Sequence, residues 1–184
     1  MRRVFILLFV TLLCFCGTTK AQEITPAVKG VSIRGTLSEF SAKLETKGCS
    51  IDQHFDEYGG CAMSGMVGGY ESIIYIYTVG PDKMVWQVVV KPDKQHYSSR
   101  SAALYYYKYK EMIAQKYGKW PCIKSEVGED VWYAYYEDRS GVWRVGIELT
   151  KEFDAEDKAY YEICVRYENR ILLELFENEL PSDF

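Results

Sequence analysis

Short apolar runs of period two, each closed by a turn signal, constrain this chain's fold most. Between residues 159 and 167, Tyr161, Ile163, Val165 and Tyr167 share one face, with Glu162, Arg166 and Glu168 on the other. That alternation gives a strand with one buried and one solvated side. Residues 71–79 are rich in Ile and Tyr, and 84–90 in Val, with Gly80-Pro81-Asp82-Lys83 as the turn between them. The pair reads as an antiparallel hairpin. Residues 131–137 and 142–150 flank Asp138-Arg139-Ser140-Gly141 in the same way, and 61–67 reads as a shorter strand ending at Gly68-Gly69.

Helices interrupt the strands. Thr36-Leu37-Ser38-Glu39 is a capping-box pattern, in which hydroxyl and carboxylate each satisfy an amide of the first turn. Leu37, Phe40 and Leu44 then form one stripe, and Gly48 is a stop. A second helix is predicted to start near Ser99 or Ser101. Its apolar face is Ala102, Tyr106, Tyr109, Ile113 and Tyr117, with Tyr105 at the edge and Tyr107 pointing elsewhere. Gly118 ends it and Pro121 prevents resumption. In the tail, Ile171, Leu172, Leu175, Phe176 and Leu180 fit a helix better than a strand.

The expected fold class is α+β: an antiparallel sheet with helices packed on one side, as two tandem helix-then-meander units. Residues 22–184 make a single domain, with repeat halves at 32–93 and 97–170 and a tail at 171–184. This order is similar to the tandem helix-plus-sheet layout of beta-lactamase inhibitor proteins, an analogy of architecture alone. A second resemblance rests on Gly35-Thr36-Leu37-Ser38-Glu39-Phe40, the Lys47-Gly48 stop and Lys116-Tyr117-Gly118-Lys119. These resemble small secreted proteins of gut bacteria that share a leader, a G-T-L-x-E-F helix start and a later K-Y-G-K helix stop. Here Trp120 intervenes before Pro121. The shared motifs are a cap, a stripe and a stop, so no catalytic residue carries over.

Residues 1–21 read as a signal peptide. Arg2 and Arg3 precede an apolar run from Val4 to Cys16, and Thr19 and Ala21 are small residues at the −3 and −1 positions of a cleavage site. The run is shorter than the ~20 residues a membrane span needs. Leu13 before Cys14 and Phe15 before Cys16 fit lipoprotein anchoring poorly. The expected location is therefore outside the cytoplasm, periplasmic or secreted, with no transmembrane segment after leader removal. The formal charge is −4, more acidic still once Arg2, Arg3 and Lys20 leave. An acidic chain is a poor nucleic-acid binder.

Cys49, Cys61, Cys122 and Cys164 remain after the leader. In an oxidising compartment an even set reads as disulfides. Three pairings are open, and Cys49–Cys61 with Cys122–Cys164 is preferred, the first closing a short local loop. No CxxC pair and no neighbouring histidine supports a zinc site, and no cofactor motif is present. His54 and His96 read as solvated loop residues, and no G-x-S-x-G elbow accompanies them. Glu126, Glu129 and Asp130, and Asp56 with Glu57, are acid clusters. A carboxylate-dependent hydrolase would need two such acids converging across a cleft.

Sixteen tyrosines and four tryptophans are the compositional excess. With a hairpin loop of two or four residues, Tyr136 opposes Trp143, Ala134 opposes Val145 and Trp132 opposes Ile147, all facing the core. Tyr133, Tyr135, Arg144 and Glu148 then share the other face, with Gly146 leaving room; a three-residue loop would reverse the faces. Tyr133, Tyr135 and Arg144 are the candidate ligand-binding residues. The expectation is a small exported binding protein acting through a sheet surface on a protein or glycan. The hydrolase and an envelope structural or self-assembling module are the alternatives.

Overall fold

The structure, a computed structural model, describes residues 24–55, 59–93, 96 and 98–179. The leader and its cleavage site, the Asp56–Glu57 pair and Leu180 lie outside the described residues. The chain opens with a small hairpin, β1 (Ala27–Val28) and β2 (Val31–Ser32). Lys29 and Gly30 form its turn with φ of 50° and 79°, the positive pair that a two-residue hairpin connection uses.

Helix α1 (Leu37–Glu45) begins on the capping box that the sequence predicts. Glu39 N–H donates to Thr36 Oγ1 at 3.4 Å, and Thr36 N–H donates to Glu39 Oε2 at 3.2 Å. Phe40 and Leu44 are fully buried. Leu37 N–H donates to Lys83 O, and Val85 N–H to Gly35 O, which ties the helix start to the following hairpin.

Four strands follow as a meander: β3 (Ser50–Phe55), β4 (Gly60–Val67), β5 (Tyr70–Val79) and β6 (Met84–Pro92). Helix α2 (Ser99–Tyr117) comes next, capped by the Ser98 side chain. A second meander holds β7 (Cys122–Val127), β8 (Val131–Glu137), β9 (Trp143–Phe153) and β10 (Ala159–Asn169), and α3 (Arg170–Glu179) closes the described chain. The eight strands form one antiparallel sheet in the order β3-β4-β5-β6-β10-β9-β8-β7. The last strands of the two meanders therefore pair at its centre, with Val90 opposite Val165 and Val88 opposite Tyr167.

One face of this sheet is the core. Met63, Ile74, Ile76, Val88, Val90, Val165, Ile147 and Ala134 line up across it. Phe40 and Leu44 of α1, and Ala102, Tyr106, Ile113 and Tyr117 of α2, belong to the same cluster. Tyr107 is exposed, as the helical stripe requires. Gly118 ends α2 with ordinary right-handed geometry. A glycine serves there because an added Cβ would lie 2.2 Å from Ala114 O. Helix α3 meets β5 and β6, and Leu172, Leu173 and Leu175 are no part of the core cluster.

Three expectations need correction. Within the β8–β9 hairpin, Tyr136 opposes Val145, Ala134 opposes Ile147 and Trp132 opposes Leu149. The pairing is displaced by two residues because Asp138 belongs to the ladder rather than the loop. Its carboxylate accepts from Trp143 N–H at 2.9 Å, and its own N–H donates to Trp143 O. An even displacement keeps every side chain on its expected face.

Cys49, Cys61, Cys122 and Cys164 are free thiols. Cys61 opposes His54 while Ser50 opposes Ser64. Cys49 therefore lies beside Gly65, roughly 14 Å along the strand from Cys61. Cys122 and Cys164 stand on β7 and β10, three strand spacings apart, again roughly 14 Å. A disulfide spans Cα atoms at most about 7 Å apart, so neither preferred pairing can form in this fold.

His96 is the third correction. It is 5% exposed, exchanges both backbone hydrogen bonds with Tyr161, and packs its ring at a tilt 4.5 Å from that of Tyr105. His54 is exposed, but on strand β3 rather than in a loop.

Candidate functional site

The sheet face opposite α1 and α2 carries the candidate residues. Tyr133 and Tyr135 alternate with the core residues Trp132, Ala134 and Tyr136 on β8, so both point outward. Their ring centroids lie 5.6 Å apart. Tyr135 opposes Gly146 on β9, and a Cβ on Gly146 would meet the Tyr135 ring at 2.4 Å. The ring therefore lies down over the glycine, an arrangement that restores the packing a strand glycine lacks.

Each tyrosine is held at both ends. Tyr133 donates its hydroxyl to Glu126, and Lys124 Nζ sits 4.8 Å from its ring centroid. The Tyr135 hydroxyl donates to Glu148, and the Arg144 guanidinium sits 5.9 Å from its ring. Cation–ring contact of this kind is attractive in each case. Burial, then the hydrogen bond to Glu148, pushes the Tyr135 hydroxyl well above the usual tyrosine range.

Glu148 is the hub of the face. Arg166 donates to it from Nε at 3.2 Å and Nη2 at 3.1 Å, a two-pronged contact that fixes orientation as well as charge. The Cys164 thiol donates to Glu148 Oε2 at 3.5 Å. Burial alone would raise the Glu148 carboxyl. The hydrogen bonds from Arg166 and Tyr135, with the arginine's charge, outweigh it and hold the group below its ordinary value. Burial, with the Glu148 charge second, pushes the Cys164 thiol up to about 12, so it remains protonated and a weak nucleophile.

A second carboxylate extends the network. Glu168 accepts from Gln87 Nε2 at 3.1 Å, and its other contacts are Arg144 Nη1 at 3.6 Å and Arg166 Nε at 4.0 Å. Arg144 also reaches Glu137 at 3.3 Å. The sequence places Arg166 and Glu168 on the outer face of their strand. Their role was missed because no local pattern specifies the β9–β10 register, and β6 reaches β10 only through long-range pairing.

The structure brings Tyr133, Tyr135 and Arg144 together as one patch on the free side of β8 and β9, with Lys124 and Glu126 of β7 beside it. The acid cluster behaves differently. Glu129 is exposed at the β7–β8 turn, and Asp130 pairs with Lys151 at 3.2 Å. Glu148 and Glu168 do converge, but both close on Arg166. That contact lowers the Glu148 carboxyl, whereas a general acid needs its own raised.

Among the described residues no group of three His, Cys, Asp or Glu is placed to hold a metal ion, and no helix is long and apolar enough to cross a membrane. No family model, curated protein or solved structure matches this chain.

Proposed function

We propose that this chain is a small exported binding protein that takes a protein or glycan partner on the outer face of β7, β8 and β9. One observation carries the reading: Tyr133 and Tyr135 are fixed by a carboxylate at each hydroxyl and a cation at each ring. Aromatic side chains that are already ordered lose little freedom on binding, and they offer apolar area with a polar edge. Export rests on the leader pattern of residues 1–21.

Both charge signs surround the two rings, which suits a protein surface carrying complementary charges better than a neutral glycan. A glycan would use the ring faces alone. The test uses the full chain as bait, cross-linked in envelope extract and laid on a glycan array, with Tyr133→Ala beside it. The expected result is one captured partner whose retention falls about tenfold or more in the variant. Tyr133 is partly buried, so the melting temperature of the variant is measured beside its retention to show that the fold is intact. Equal retention by both proteins would refute the proposal. A concentration-dependent mass of the chain alone, lost in Tyr133→Ala, would identify the partner as a second copy.

A further inference from the structure

A cavity of about 200 Å³ lies on the opposite side of the sheet, between α2, the β1–β2 hairpin and the central strands. Val28, Val90, Val165 and Ile113 line it. They come from the hairpin, both meanders and the long helix, so the space exists only where all of these meet. A sealed apolar cavity of roughly 150 Å³ accepts a benzene ring; this one, open to solvent on one side, has room for a ring with a short substituent.

Two further features make the space selective. Tyr109, Tyr117 and Tyr167 all line it. Burial drives the Tyr109 hydroxyl up to about 12. It raises Tyr167 too, with Tyr117 and Tyr109 adding to the effect. The Tyr109 and Tyr167 hydroxyls therefore stay protonated and able to donate.

Charge is the second feature. The chain is acidic, at −4, yet the charged residues of this lining are Lys29 and Lys116, with no carboxylate among them. Lys116 is held by a hydrogen bond from Nζ to Ala27 O at 3.2 Å. Lys29 stands at the hairpin turn, with a backbone φ of 50°.

We propose that this cavity binds a small monocarboxylate with an apolar body of about one ring. The body lies among the valines and Ile113, the carboxylate meets the lysines, and a tyrosine hydroxyl donates to it. The site is separate from the outer face, and the two proposals stand or fall apart.

The test titrates the full chain with phenylacetate, phenylacetamide and phenethylamine, which share a body and differ in charge. Methyl NMR of Ile113, Val90 and Val165 reports occupancy. Phenylacetate should shift these signals and bind tightest, and the amine should not bind. Lys29→Ala with Lys116→Ala should weaken phenylacetate about tenfold with the fold intact by melting temperature. Ile113→Phe, which fills the space, should abolish the shifts, and Tyr133→Ala should leave them unchanged. Absence of shifts with phenylacetate at millimolar concentration would overturn the proposal. So would equal binding of the amine, which would mean an unselective apolar void.

Discussion

Glu148 takes two arginine nitrogens, a tyrosine hydroxyl and a thiol on one carboxylate. Those contacts favour its charged form, so its folded value lies below its unfolded one. Such a group stabilises the fold fully above the unfolded carboxylate range, near ~4.3, and loses that contribution as pH falls through the folded value. Glu148→Gln should therefore cost about 1–3 kcal/mol at pH 7. The cost should shrink as pH falls through the folded value, where the native carboxylate takes up its proton. Urea midpoints measured from pH 7 downward follow the loss. A loss independent of pH would mean that the side chain acts through packing rather than charge. Arg166 would still face Glu168 in this variant, which is why the loss stays below that of a fully isolated buried charge.

At the scale of elements, α1 is the clearest case of local sequence specifying local structure. Thr36→Ala removes the hydroxyl that accepts from Glu39 N–H and leaves Glu39 to cap alone. The expected loss is about 1 kcal/mol, read as a lower urea midpoint with an unchanged slope; no change would mean that the Lys83 and Gly35 backbone bonds fix this helix start without the cap. Legibility elsewhere followed burial. Strands β5, β6, β8, β9 and β10 each carry buried residues on at least one face, and alternation or apolar richness revealed them. Strands β3 and β7 went unread because they are the two sheet edges. Ser-Ile-Asp-Gln-His-Phe and Cys-Ile-Lys-Ser-Glu-Val are almost wholly exposed and bear no core pattern. Both also carry bulges, at Ile51/Gln53 and Cys122/Lys124, which break period two and help protect an edge from further pairing. The candidate site was legible as far as the faces of Tyr133, Tyr135 and Arg144, because parity survives an even displacement. The hub on Glu148 was not, since its donors Arg166 and Cys164 arrive from β10, whose register on β9 no local pattern specifies.

For the whole molecule, the question is whether the two helix-then-meander halves unfold together. Among the described residues, strand pairing between the two halves crosses at β6 and β10, in four residue pairs from Val165–Val90 to Glu168–Gln87. Side chains argue for cooperation: Ile74, Ile76 and Val88 from the first half share one cluster with Val145, Ile147 and Val165 from the second. Helix α2 adds to this, since Ile113 and Tyr117 close a cavity whose walls include Val90 and Val165. A half cut at the seam would expose an apolar edge strand on each side, which is why the joined state is favoured. Val165→Ala tests the coupling directly. Val165 is 6% exposed, and removing two methyl groups there should cost about 2 kcal/mol. If the halves open as one unit, hydrogen exchange should accelerate by the same factor, about thirtyfold, in residues 61–67 of β4 and 143–150 of β9. Acceleration confined to the second meander would show that the seam is a contact between two independently folding units, and the shared cluster would then describe their docking rather than their folding.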